Sequence, residues 1–242
     1  MTRIYQKRAL TVSEPILLDE NATHHLARVL RAQVGDALTL FNGEGGEYRG
    51  NIAAISKKAV TVQLTEFLPL ECESPLEIVL AQGIARGEKM DFIIQKAVEL
   101  GVSKIVPLQT ERSNVHLSAE RMEKRHQHWQ SVLISACEQS GRNRVPVLLP
   151  AMNVPAFLST KQAELQWVLS PHAKTPLAGM NPKPRSVALL IGPEGGLSPN
   201  EISLAERHDY NSLALGPRVL RTETAALVAI SVLQALCGDL CQ

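Results

Sequence analysis

SVALLIGPEGGLSPNE, Ser186 to Glu201, runs from a near-continuous apolar segment through Gly192-Pro193-Glu194-Gly195-Gly196 and into a helix start at Ser198. Strand, glycine-rich turn, helix is a common way to hold a phosphate. This turn is poorly built for one. Its glycines do not follow the G-x-G-x-x-G spacing, and no Gly-Lys-Ser/Thr follows as in a P-loop. A phosphate cradle needs consecutive free N–H groups and a positive field. Here Pro193 removes a donor and Glu194 brings negative charge to the tip. What the turn offers is close backbone approach to a flat, mostly neutral ligand. Gly195 and Gly196 lack Cβ, which lets amides and carbonyls read a base edge. Ser198-Pro199-Asn200-Glu201 predicts a capping box with proline at the first helical position. Taken alone, the stretch is equally compatible with a plain strand-to-helix turn.

A second stretch repeats the plan. NSLALGPRVLRTETAA, Asn211 to Ala226, has an apolar strand, then Gly216-Pro217, then a helix opening near Thr222. Glu223 falls in that helix's first turn, where the dipole favours an acid. Arg218 and Arg221 lie in the loop. In a parallel sheet such loops gather beyond the carboxyl ends of the strands. Together with the end of LQWVLS, Leu165 to Ser170, they predict one pocket.

The rest of the chain supports such a sheet. LEIVLAQG, KIVPLQT, VPVLLPA, LQWVLS, SVALLIG and NSLALG read as strands. EKMDFIIQKAVELG has helical spacing at Met90, Ile93, Ile94, Ala97 and Val98, and a long helix is expected from about Ser118 to Ser140. Alternating strands and helices predict an α/β fold with a mainly parallel sheet covered on both faces. Residues before about 70 read differently. LTLFNG, EYRGNIAAI and KAVTVQLTEF are short strands with turns at Asn42-Gly43 and Gly45-Gly46, interrupted by one short helix, HHLARVLR (His24 to Arg31). ECESP, Glu71 to Pro75, is the linker between a small β-barrel domain, 1–72, and an α/β domain, 73–242.

Composition sets broad bounds. The chain has 242 residues, is 45% hydrophobic and carries a net charge of +1. No apolar run reaches the roughly 20 residues that cross a bilayer, and the N-terminus lacks a signal-peptide segment. Cys72, Cys137, Cys237 and Cys241 have no C-x-x-C spacing, which argues against a zinc site or a disulfide framework. A cytoplasmic protein with reduced thiols and no membrane partner is expected.

IGPEGGLSPNE followed by LALGPRVLRTETAA resembles the paired C-terminal motifs of the SPOUT methyltransferases. More narrowly, the chain resembles the ribosomal RNA small subunit methyltransferase E family, which methylates N3 of a uridine in 16S rRNA. HHLARVLR, KAVELGV (Lys96 to Val102), TERS (Thr110 to Ser113) and EQSGR (Glu138 to Arg142) match in the right order. The resemblance implies a deep trefoil knot in the α/β domain, although knots are otherwise almost absent from proteins. It also implies a PUA-like N-terminal barrel that grips RNA, S-adenosylmethionine held in the knot, and a homodimer.

S-adenosylmethionine carries no phosphate, so a backbone-lined apolar pocket suits it. The cofactor-contacting backbones expected are Leu169, Gly192, Gly196, Leu215 and Leu220. Ser170, Ile191, Gly195, Gly216, Val219 and Thr222 complete that set. Arg221 is the candidate that stabilises the developing uridine anion or orients the base. Glu194 or Glu223 is expected to accept the N3 proton, directly or through water. No metal is expected.

His24, Arg28 and Arg31 are expected to share one helix face at i, i+4 and i+7, with Leu26, Val29 and Leu30 opposite. They read as phosphate contacts that position RNA, or alternatively as a solvated face. Arg3, Lys7 and Arg8 extend that patch, and Arg142 joins the RNA-binding candidates through EQSGR. Glu138 and Arg142, and Lys96 and Glu99, have the spacing of helix ion pairs. His126 and His128 are i, i+2 on a helix and face different ways, which argues against a metal site. Trp129 and Trp167 read as core.

The final helix, TAALVAISVLQALC, is apolar nearly all round. It must therefore be covered on every side, by a dimer partner or as a central helix of a monomer. The expected partner is 16S rRNA, within the assembled small subunit. Two other readings stand beside this one. One is a SPOUT enzyme acting on a ribose 2′-oxygen or a tRNA base, which the N-terminal barrel and HHLARVLR disfavour. The other is an RNA-binding assembly factor without catalysis, which the intact pair of loops disfavours.

Overall fold

Period-two alternation builds the first part of the chain and continuous apolar strands build the second. The computed structural model describes residues 2–113, 118–173 and 183–241. They group into two compact units: Met1–Glu73 with Cys137–Val145, and Ser74–Ala136 with Pro146–Gln242.

In the first unit, β1 (Thr2–Tyr5), β2 (Pro15–Leu17), β3 (Ala37–Phe41), β4 (Glu47–Ile55) and β5 (Val60–Leu68) form one sheet in the order β1-β3-β4-β5-β2. Only the β1–β3 pair is parallel. Val60, Val62 and Leu64 alternate inward along β5 and join Ile4, Leu26, Leu38, Leu40 and Ile52 in the core. A side-chain period of two lets such a sheet bury one face and wet the other.

The helix of this unit starts earlier than the sequence pattern predicts. Asp19 caps α1 (Glu20–His24) by accepting from the Ala22 amide at 2.8 Å. The next turn, His25–Val29, is a π-helix closed by the Leu30 amide donating to the His25 carbonyl at 2.9 Å. Arg31 then takes a positive φ of 51°. The wider turn and the left-handed residue break the 3.6-residue spacing on which the expected shared face depends. Leu26 is buried as expected, but Val29 and Leu30, expected opposite the basic residues, are exposed at 59% and 46%.

In the second unit, β6 (Glu77–Gly83), β7 (Lys104–Gln109), β8 (Val147–Leu148), β10 (Leu165–Leu169), β11 (Ser186–Ile191) and β12 (Asn211–Leu213) run in the order β12-β10-β11-β6-β7-β8. A further strand, β9 (Met152–Asn153), also pairs with β7, and every pair in this sheet is parallel. Of VPVLLPA, Val145 to Ala151, expected as one strand, only Val147–Leu148 is strand, as β8, and β9 begins just beyond the stretch. Pro150 between them has no N–H to offer the ladder.

Six consecutive buried residues follow Glu77 in β6, as a strand covered on both faces requires. Val79, Ala81, Val106, Leu108, Ala188 and Leu190 pack with α4 (Val154–Leu158) and α5 (Pro199–Arg207). Alternate residues such as Ile78 and Leu80 point to the other face. There α2 (Glu88–Glu99) meets α6 (Thr222–Cys237), which also lies against β6 and β11. Between β7 and β8 runs α3 (Ala119–Ser140), in which Trp129 is buried; Trp167 in β10 is also buried.

Gln234, a polar residue in the apolar α6, is fully buried. Its amide accepts from the Ser74 hydroxyl at 2.6 Å and donates to the Leu100 carbonyl at 2.8 Å. On the outward side of the same helix Val228 and Leu236 are partly exposed, at 36% and 37%. Among the described residues no helix is long and apolar enough to cross a membrane.

Candidate functional site

The carboxyl ends of β10, β11 and β12 deliver three loops to one place. After β11, the Gly196 amide donates to the Pro193 carbonyl at 2.8 Å, closing the turn. A Cβ on Gly192 would lie 2.6 Å from backbone atoms of Gly196 and Leu197, so only glycine lets this turn fold back on itself. Ser198 and Glu201 then form the expected capping box, at 3.1 and 2.8 Å. The other Glu201 oxygen accepts from the Glu111 amide at 2.9 Å, anchoring the loop after β7.

Helix α6 begins at Thr222 with Arg221 as its N-cap, near where the sequence places the helix start. The Thr222 hydroxyl donates to the Gly192 carbonyl at 2.6 Å and accepts from Gln82 Nε2 at 2.9 Å. Gln82 is fully buried at the end of β6. One buried amide therefore fastens the loop after β11 to the start of α6. Similarly, the Ser170 amide donates to the Leu213 carbonyl at 3.0 Å, tying the end of β10 to β12.

Between these loops lies a cavity of about 500 Å³. Leu169, Ser170, Ile191, Gly192, Gly195, Gly196, Leu215, Gly216, Val219, Leu220 and Thr222 all line it, so the structure brings the whole expected cofactor set together. Arg221 and Glu194 line it too. Glu223 stands beside it, its Oε2 buried without a hydrogen-bond partner and 3.9 Å from Lys89 Nζ.

Sequence reasoning missed Lys89, Arg112 and His172, which also line the cavity. Lys89 follows the carboxyl end of β6, a position where parallel sheets place ligand contacts. That rule was a usable signal. Glu194 accepts from the Arg86 amide at 3.1 Å and lies 3.5 Å from Lys89 Nζ. Partial burial pushes the Glu194 carboxyl up. Its own amide, the Arg86 amide and the Lys89 ammonium outweigh this and hold it below the usual carboxylate range.

The RNA-binding candidates fall in the first unit and divide by exposure. Lys7, Arg8, His24, Arg28 and Arg31 are exposed. Arg3 is engaged instead: it pairs with Glu47, donates to Asn143 Oδ1 at 2.6 Å and sits 5.0 Å over the Phe41 ring. Arg142 is buried against Glu73, to which its Nε donates at 3.0 Å. Glu138 accepts from the Tyr5 amide at 2.9 Å, and burial pushes its carboxyl up. Lys96 and Glu99 do form their ion pair, at 2.7 Å. His128 pairs with Asp91 at 2.7 Å. Among the described residues no group of His, Cys, Asp and Glu could hold a metal.

Residues 72–234 match the RNA methyltransferase domain family, and residues 18–65 match the RNA methyltransferase PUA domain family. The ribosomal RNA small subunit methyltransferase E of Buchnera aphidicola subsp. Schizaphis graminum is 38% identical over 98% of this chain and 97% of its own length. The chain belongs to the ribosomal RNA small subunit methyltransferase E family. Solved structures agree. A family member from Neisseria gonorrhoeae bound to S-adenosylmethionine superimposes with a TM-score of 0.92 at 36% identity, covering 99% of both chains. A Legionella pneumophila protein described as a methyltransferase, in complex with the cofactor SAM, gives a TM-score of 0.96 at 44% identity, again over 99% of both chains. For this family member, then, the fold is that of a methyltransferase domain with an N-terminal PUA domain.

Proposed function

We propose that this protein transfers a methyl group from S-adenosylmethionine to N3 of a uridine in 16S rRNA. The observation that carries the reading is the cavity of about 500 Å³ between two glycine-proline loops that Thr222 and Gln82 bind into one unit. Its wall is apolar at Leu169, Ile191, Leu215 and Leu220 and backbone-rich at Gly192, Gly195, Gly196 and Gly216. That composition fits an adenine, a ribose and a zwitterionic tail.

Bound there, S-adenosylmethionine supplies an already activated methyl, whose bond to sulfur breaks as the bond to N3 forms while the N3 proton leaves to a base. The protein's share is positioning and charge. Arg221, on the cavity wall, offers donors to the uridine carbonyls as negative charge develops. Of the two acids, Glu223 is the better proton acceptor in this reading. Lys89 lies near both, but Glu194 also accepts from the Arg86 amide and is held below the usual carboxylate range.

The same reading includes the family's trefoil knot, rRNA gripped by Lys7, Arg8, His24, Arg28 and Arg31, and a homodimer through α6. The outward Val228 and Leu236 give such an interface its apolar surface. The assembled small subunit is the substrate form. Mass mapping of 16S rRNA nucleosides from cells lacking the protein tests the reaction. Loss of N3-methyluridine, restored by the intact gene, is expected; its persistence overturns the assignment. Calorimetric titration with S-adenosylmethionine tests the cavity, and absence of binding removes every methyltransferase reading.

A further inference from the structure

A fourth loop completes the site, and it follows the first strand of the second unit. The chain leaves β6 at Gly83, where an added Cβ would lie 2.5 Å from Pro193 Cδ. The loops after β6 and β11 are thus pressed together. Gly87 precedes α2 with φ of 57°, a backbone that favours glycine, and Lys89 follows in the first turn of the helix. From there Lys89 Nζ reaches Glu194 Oε1 at 3.5 Å and Glu223 Oε2 at 3.9 Å, while its side chain lines the cavity. The Arg86 amide of the same loop holds Glu194 Oε1 from a second direction, at 3.1 Å.

Both distances are within ion-pairing range, so the ammonium stands between the two carboxylates. An exposed lysine pair contributes little to stability, and Lys89 alone would be such a case. Glu223 changes the weighing. Its Oε2 is buried with no hydrogen-bond partner, and burying a charged oxygen is costly unless an opposite charge lies near it. Among the described residues, Lys89 is the cation recorded within ion-pairing distance of it, at 3.9 Å.

Resting on the methyl-transfer reading above, we propose that Lys89 is a positioning residue that holds Glu223 and Glu194 in their working places at the cavity wall. It acts through the carboxylates, with no contact to the transferred methyl required. Its effect therefore falls mainly on the rate of the bound complex.

The test compares Lys89→Met and Lys89→Arg with the wild-type protein, using single-turnover methylation of small-subunit rRNA and calorimetry with S-adenosylmethionine. Lys89→Met should lower the saturating rate constant roughly ten- to a hundredfold, as small misplacements in a site do. S-adenosylmethionine affinity should stay within about twofold, and Lys89→Arg should recover most of the rate. Added to Glu223→Gln, Lys89→Met should cost less than about threefold more, because the two changes break one unit. An unchanged rate in Lys89→Met, a loss confined to cofactor affinity, or losses that multiply with Glu223→Gln would overturn the role. Wild-type protein that methylates no small-subunit rRNA would remove the underlying reaction; an active wild type with an indifferent Lys89→Met removes this inference alone.

Discussion

Thr222 Oγ1 donates to the Gly192 carbonyl across 2.6 Å, joining the first residue of α6 to the turn after β11. Gln82 Nε2 supplies the other half of the arrangement, at 2.9 Å from the same hydroxyl. Replacing Thr222 by Val keeps the shape and deletes the donor. The buried Gly192 carbonyl and Gln82 amide then lose a partner, which should cost about 1–3 kcal/mol of stability. S-adenosylmethionine affinity should fall with it, while Thr222→Ser keeps both. Thermal unfolding and calorimetry on the two variants measure the difference.

Gly192→Ala should be more damaging to the site than to the fold. The new Cβ would meet the Gly196 and Leu197 backbone at 2.6 Å, and backbone cannot rotate away as a side chain can. The turn must open. Calorimetry should register a loss of cofactor affinity of about tenfold or more, as expected when a preorganised pocket is distorted.

Arg221→Ala should abolish methylation and leave the oligomeric state unchanged. The side chain lines the cavity, whereas the proposed dimer surface lies further along α6 at Val228 and Leu236. Removing a charge-stabilising donor typically costs on the order of a hundredfold or more in rate. Methyl transfer from labelled cofactor, read beside sedimentation, decides it. Full activity would take Arg221 out of the mechanism.

Basic residues of the first unit should separate into two classes. Arg142 is buried against Glu73, and removing one partner of such a pair costs about 3–5 kcal/mol. Arg142→Ala should therefore lower the melting temperature steeply. Arg28→Ala and Arg31→Ala, at exposed positions, should leave melting alone, weaken rRNA binding and flatten its salt dependence. Equal melting losses in both classes would refute the division.

Glu194 should make stability depend on acid. Its carboxyl lies below the usual value of 4.5 in the folded protein, so the native state favours the charged form. That contribution is fully present above the unfolded value and is lost as pH falls through the folded one. Denaturant unfolding of wild type and Glu194→Gln should differ at neutral pH and converge below about pH 4.5. Lys89→Met should shrink the difference, since its ammonium is one of the groups lowering the carboxyl.

Much of the fold was legible because its signals are local. The apolar run Ser186–Ile191, the Ser198–Glu201 capping box and the helical spacing from Met90 to Val98 each lie within a few residues of chain. That the residues expected at the cofactor would line one cavity was legible for a related reason, since parallel strands send their carboxyl-end loops to one edge. The π-turn at His25–Val29 was not legible, because a 3.6-residue template carries straight through it. The early end of β8 was partly so, with Pro150 as its mark.

The parallel sheet, the helix starts and the glycine-proline loops are thus written into short stretches of chain, set by periodicity, capping and backbone freedom. Which polar groups meet was settled by the three-dimensional fold. Arg86 and Glu194 stand 108 positions apart, Gln82 and Thr222 stand 140 apart, and Arg3 reaches Asn143 across another 140. No local pattern encodes such pairings. They follow from which strands become neighbours, and that is set by burying the apolar faces of the whole sheet. Glu194, whose place at the tip of its loop was plain from the sequence, acquired its partners, the Arg86 amide and Lys89, only when the strands lay side by side.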